Sequence, residues 1–161
     1  MSDFAEITEI IDEEPEDINT EKYLIFSILD KLYSFPSRII SEIAIFDTVY
    51  PLPLLPPFVL GVVNRYSIPH ALFDIGLLFH KTASPRKKII IIKEEIDHIA
   101  FLIDDVSGIA DIHTENIYII DRDSQSGDLS DAVCASFKWN ENDVFVLDVH
   151  RIIGRISQEA V

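Results

Sequence analysis

Two runs near the start of the chain, Tyr23-Leu-Ile-Phe-Ser-Ile-Leu29 and Leu32-Tyr-Ser-Phe35, flank the pair Asp30-Lys31. Both runs are dense in aromatic and β-branched residues and contain neither glycine nor proline, which is the composition of strands that pack on a pleated surface. A two-residue polar break between such runs reads as a hairpin turn, even though this one has no glycine.

The same texture continues outward. Ser37 is positioned to cap a short helix over Arg38 to Glu42, and Ile43 to Phe46 follows as a strand. Pro51-Leu-Pro-Leu-Leu-Pro-Pro57 excludes both helix and interior strand and is a loop. Phe58 to Asn64 and Ile68 to Phe73 form two strands joined tightly through Arg65-Tyr66-Ser67; Ile75 to Phe79 is a helical turn at most, and Lys81 to Lys88 is an exposed basic loop. Strands are expected again at Ile89 to Ile92, His98 to Ile103, Val106 to Ile112, Ala132 to Trp139 and Val144 to Val149. A polar loop spans Asp121 to Asp131, a turn lies at Asn140 to Asp143, and a short helix closes the sequence over His150 to Gln158. About ten short strands with no long crossover helix define an all-β chain, barrel or sandwich.

At 161 residues, 48% of them hydrophobic, the chain has the size and composition of one domain with a sizeable core. Its formal charge is −15. That excess of acid repels phosphate backbones and anionic lipid, so nucleic acid is not expected as a partner and neither is the membrane. Residues 1–20 read as an acidic, solvated tail and residues 21–161 as the folded domain. Phe4, Ile7, Ile10 and Ile11 in the tail also lie at helical spacing, compatible with a short docking helix. No apolar run approaches the roughly 18 residues of a membrane helix, and the acidic start is unlike a secretory signal, so a cytoplasmic protein is expected. Cys134 is the only cysteine, which excludes a disulfide framework and reads as a small buried hydrophobe.

Catalytic chemistry is hard to place. The five glycines, at 61, 76, 108, 127 and 154, are too scattered for a phosphate-binding loop. The histidines at 70, 80, 98, 113 and 150 show no familiar zinc spacing. One constellation stands out: His70 and Asp74, on one face of a strand, with Asp104-Asp105 elsewhere, since carboxylates near imidazole bind metal or move protons. Ordinary alternation on a half-exposed strand produces the same pattern without chemistry. The residues thus lead to a non-enzymatic, protein-binding β module with no cofactor and no metal, and a small metal-dependent enzyme using His70, Asp74 and Asp104 is the alternative of a different class.

The order of segments from Glu21 to about Arg155 resembles the CheW family of chemotaxis coupling proteins. Lys22-Tyr-Leu-Ile-Phe-Ser-Ile-Leu29 with Tyr33 and Phe35 is similar to the family's opening hairpin, and Ile40-Ser-Glu-Ile43 to its short helix carrying a glutamate. The Pro53–Pro57 loop with Phe58-Val-Leu-Gly-Val-Val-Asn64, the strand Ile68-Pro-His-Ala-Leu-Phe-Asp74, the segment Ala100 to Gly108 and Val144 to Ile153 follow in the family's order. The resemblance implies two small five-stranded SH3-like barrels packed side by side, with short helices. It implies an adaptor that couples the cytoplasmic tip of chemoreceptors to the regulatory domain of a CheA-type histidine kinase, in chemotaxis or in another pathway built on such a kinase.

The resemblance also points to residues. Glu42, Asn64, Arg65 and Pro69 fall where partner contacts are expected, with Gly61 and Gly108 serving backbone geometry. One departure falls among them. Family members read Asn-Leu-Arg-Gly after the Gly-x-x-Asn strand, whereas here only Arg65-Tyr-Ser-Ile68 separates Asn64 from Pro69. The turn is shorter and has lost its glycine. Arg65 standing in for the family arginine would face Glu42, and an exposed turn arginine of little consequence is the competing reading.

Overall fold

The computed structural model describes residues 19–45, 48–80, 88–120 and 129–159. The expected acidic tail, apart from its last two residues, most of the basic loop and most of the polar loop at 121–131 lie outside the described residues. Among the described residues eleven strands form two sheets. One sheet takes β1 (Thr20–Ile28), β2 (Lys31–Pro36), β8 (Asp105–His113), β9 (Tyr118–Ile119), β10 (Val133–Trp139) and β11 (Asn142–Leu147), in the order β8-β1-β2-β11-β10-β9. The other takes β3 (Ile40–Ile45), β4 (Val59–Arg65), β5 (Ile68–Asp74), β6 (Lys88–Ile92) and β7 (Ile99–Ile103), in the order β3-β6-β7-β5-β4. Among the described residues one α-helix, α1 (Val149–Glu159), follows the last strand.

The six-stranded and five-stranded ladders are open rather than closed five-stranded barrels. Each is nonetheless curled round by a strand that changes sides. In the first sheet the two edge strands are consecutive in sequence: β8 pairs with β1, a 3-10 turn at Thr114–Asn116 redirects the chain, and β9 then pairs with β10 at the opposite edge. In the second, β3 pairs with β6 as far as Ile45, and the chain then reaches β4 at Tyr50, where two backbone hydrogen bonds join Tyr50 and Val62 at 2.8 and 2.9 Å.

Burial on both faces explains the near-continuous apolar runs. Tyr23 and Ile25 of β1 pack inside the first sheet with Phe137, Val144 and Val146. Leu24 and Phe26 point the other way, into a cluster shared with Phe73, Ile90 and Phe101 of the second sheet and with Leu147 and Ile152 near the C-terminus. The second sheet has its own inner cluster of Val63, Leu72, Ile89, Ile91, Ala100 and Leu102. Tyr23 lies 5.0 Å from Phe137 between ring centroids, and Phe35 stacks on Phe101 at 5.7 Å across the two sheets.

Three of the hairpins, β1–β2, β4–β5 and β10–β11, are closed by two-residue turns, and none of these uses glycine. Leu29-Asp30, Tyr66-Ser67 and Asn140-Glu141 all have positive φ at both positions, the mirror-image turn that matches the twist of paired strands. The first turn therefore sits one residue earlier than the Asp30-Lys31 pair suggests, because Ile28 and Lys31 are already in register. The Leu29 amide donates to Asp104 Oδ2 at 2.8 Å, which supports a residue type that seldom adopts this conformation. Thr20, placed in the tail by its surroundings, begins β1 opposite His113.

Two further expectations are corrected. Ser37 does not cap a helix over Arg38 to Glu42; only Ser37–Ile39 makes a 3-10 turn, with no side-chain cap. Ile40 to Ile45 is strand instead, since its β-branched residues gain more by pairing with Ile89–Ile92 than by a single helical turn. Glu42 accordingly sits on a strand and not on the family's short helix. Beyond the polar loop, Asn142 and Asp143 belong to β11 rather than to the turn.

Candidate partner-binding site

The hairpin β4–β5 and the strand β3 carry the four candidate residues. Register sets Asn64 opposite Pro69 and Arg65 opposite Ile68. Directly opposed residues share a face and neighbours alternate, so Asn64 and Pro69 occupy one face while Arg65 lies on the other. Asn64 and Pro69 are both exposed. Pro69 precedes Ala71, the first β5 residue in register with β7, so its missing N–H removes no bond from that ladder.

Arg65 reaches Glu42. Its Nε donates to Glu42 Oε2 at 2.7 Å and its Nη2 to Oε1, a two-pronged guanidinium–carboxylate fork. Because β3 and β4 are opposite edges of the five-stranded sheet, this pair spans the seam that the Tyr50–Val62 bridge also crosses. The side chain of Glu42 is 15% exposed and that of Arg65 41%. The hydrogen bond to Glu42 raises the Arg65 pKa above its already high ordinary value, so the cation is permanent. Arg65 also lies over the Tyr66 ring, 4.8 Å from its centroid.

Gly61 makes the seam possible. It has a φ of +138°, and a Cβ there would lie 2.4 Å from the Tyr50 carbonyl oxygen, so any side chain would push the crossing chain away from β4. Gly108 serves the first sheet in a similar way, since a Cβ there would sit 2.9 Å from the Trp139 ring. It lies beside the bulge where Ile25 pairs with Gly108 and Phe26 with Val106.

Each member of the constellation of His70, Asp74 and Asp104 is engaged in a local bond to the backbone. His70 is 3% exposed, with Nδ1 3.1 Å from the Ile68 carbonyl and its ring against His98. Asp74, 1% exposed, accepts from the Leu77 amide at 3.1 Å, and Asp104 accepts from Leu29. Among the described residues no group of three histidines, cysteines or carboxylates is disposed to hold a metal ion. Cys134, expected as a small buried hydrophobe, is half-buried against the inner cluster of the first sheet; burial pushes its thiol pKa up, away from the thiolate needed for reactivity.

Sequence reading missed Tyr66, which is 80% exposed at the tip of the hairpin, and the loop residues Leu52 and Leu54. The available signals were an aromatic inside an otherwise polar turn and leucines set between prolines, neither of which tells exposure from burial.

The chain matches the CheW-like domain family over residues 22–157 and belongs to that family. Its fold is similar to that of the scaffolding protein TtCheW from Thermoanaerobacter tengcongensis, with a TM-score of 0.71 at 16% sequence identity, over 85% of this chain and 90% of that one. Fifteen chains of solved structures match. No curated protein matches. Among the described residues, no helix is long and apolar enough to cross a membrane.

Proposed function

We propose that this chain is a non-enzymatic adaptor that couples the cytoplasmic tips of chemoreceptors to the regulatory domain of a CheA-type histidine kinase, acting in the cytoplasm. The observation that carries the reading is the family match across residues 22–157, which includes every strand but the first two residues of β1. The occupied state of His70, Asp74 and Asp104 supports it by leaving the obvious catalytic groups engaged in structural bonds. Asn64, Arg65 and Pro69 cluster at one exposed hairpin with Glu42 held beside it, and that end of the second sheet is the surface offered to partners.

The test is reconstitution. A soluble receptor-tip fragment and a CheA-type kinase are sedimented with and without the purified chain; the expected result is co-sedimentation of all three only when the chain is present. Titration calorimetry against each partner alone then gives the two affinities. Absence of binding to both would overturn the reading.

A further inference from the structure

The loop joining β3 to β4 holds a residue that the fold does not use. Leu54 is fully exposed, at 102%, and has a φ of +61°. Leucine is strained in the left-handed region, where glycine or asparagine fits readily. A side chain wholly in water also adds nothing to packing. Leucine therefore opposes folding on both counts at this position, the pattern of a strained residue kept for a contact outside the chain.

Its surroundings agree. Ile45, Tyr50, Leu52, Leu54, Leu55 and Tyr66 are six of the eight exposed large hydrophobic side chains among the described residues, the others being Tyr118 and Ile119. Tyr50, Leu52, Leu54 and Leu55 follow one another along the loop itself, whereas Ile45 ends β3 and Tyr66 sits at the far tip of the β4–β5 hairpin. Pro51, Pro53, Pro56 and Pro57 fix their own φ angles, so the loop is stiff before it meets anything and little ordering is needed on contact.

Charge selects the occupant. Residues 48–58 contain no charged side chain, while the whole chain carries −15. A second copy would bring the same negative field, and like charge opposes that encounter; a cationic protein surface is drawn in. We propose that Leu54, flanked by Leu52 and Leu55, is the anchor of a docking loop that seats in an apolar pocket rimmed by lysine or arginine on a protein partner. This deepens the adaptor reading and rests on it for the choice of probes.

The experiment compares the wild-type chain with Leu54→Asn, which keeps the left-handed turn, and Leu54→Gly. Thermal unfolding is measured for all three, and calorimetric titrations are run against the receptor-tip fragment and against the kinase regulatory domain at low and high salt. Both variants are expected to melt at or above the wild-type temperature and to bind one of the two partners at least tenfold more weakly. Wild-type affinity for that partner is expected to fall as salt rises. Unchanged affinities for both partners would overturn the proposal while leaving the adaptor reading intact, and so would variants that melt well below wild type, which would place Leu54 in the packing of the fold. Salt-independent binding would overturn the cationic rim, and a dimer lost on Leu54 substitution would assign the loop to a second copy instead. A wild-type chain that binds neither probe would overturn the adaptor reading and this proposal with it.

Discussion

At the scale of single residues, the strongest demands come from Gly61 and Tyr23. Gly61→Ala puts a methyl group where the Tyr50 carbonyl lies and forces a β-carbon onto a φ of +138°. We expect a loss of about 2 kcal/mol or more in urea unfolding, because the seam must open to accept it; a loss below about 0.5 kcal/mol would show that the crossing chain moves freely. Burial, reinforced by Glu21, pushes the Tyr23 phenol up to about 12 from 10.0. The folded state thus disfavours the phenolate, and the stability linked to this group is intact below pH 10 and is lost as pH rises through about 12. Tyr23→Phe should remove that component, so wild type should lose stability relative to the variant between pH 10 and 12. Parallel pH profiles of the two unfolding midpoints would refute it. Gly61 was singled out in the sequence as a backbone residue, but the reason lies in Tyr50, whose bridge to Val62 no local pattern announces.

At the scale of elements, the seam of the second sheet and the hairpin turns decide the geometry. The Glu42–Arg65 fork ties two edge strands, so Glu42→Ala and Arg65→Ala should each reduce stability by about 1 kcal/mol, a modest loss because Arg65 is partly exposed to solvent. The double variant should lose less than the sum, in stability and in binding to a receptor tip or kinase domain, since both changes delete one interaction. Additive losses would mean that the two side chains act independently. Ser67→Gly should stabilise the β4–β5 hairpin by about 0.5–1 kcal/mol, because a φ of +65° suits glycine better than serine; unfolding in urea would show a higher midpoint, and a lower one would count against the turn described here. Most elements were legible in the sequence because runs such as Ile89–Ile92 and Val144–Leu147 combine β-branched and aromatic residues between polar breaks. The segment from Ser37 to Glu42 misled because a serine followed by short-range helical spacing looks the same whether or not a partner strand waits, and β6 lies far along the chain. Glu42 and Arg65 were recognisable as a pair only through the family resemblance, since their spacing in sequence carries no periodicity that would unite them.

At the scale of the whole molecule, one apolar cluster belongs to both sheets. Leu24, Phe26 and Phe35 of the first sheet share it with Ile90, Phe101 and Ile103 of the second. Trp139, the only tryptophan, reports on the inside of the first sheet alone. Phe101→Ala in the second sheet should therefore cost about 3–5 kcal/mol and shift the Trp139 fluorescence midpoint as far as the far-UV circular dichroism midpoint. Two separated transitions would show that the sheets unfold as independent units. The chain threads these sheets unevenly. β3 to β7 come from residues 40–103 without interruption, whereas the first sheet joins Tyr33 to Phe145 and Ile25 to Gly108. During synthesis the β1–β2 hairpin emerges before β8 and β11, the strands that flank it in the sheet, and two strands alone are a marginal arrangement in water. The second sheet is complete long before β11 leaves the ribosome, and its outer apolar face is the surface on which Leu24 and Phe26 can shelter. Contacts this distant in sequence slow folding, so the later half of the chain sets the pace at which the earlier half becomes native.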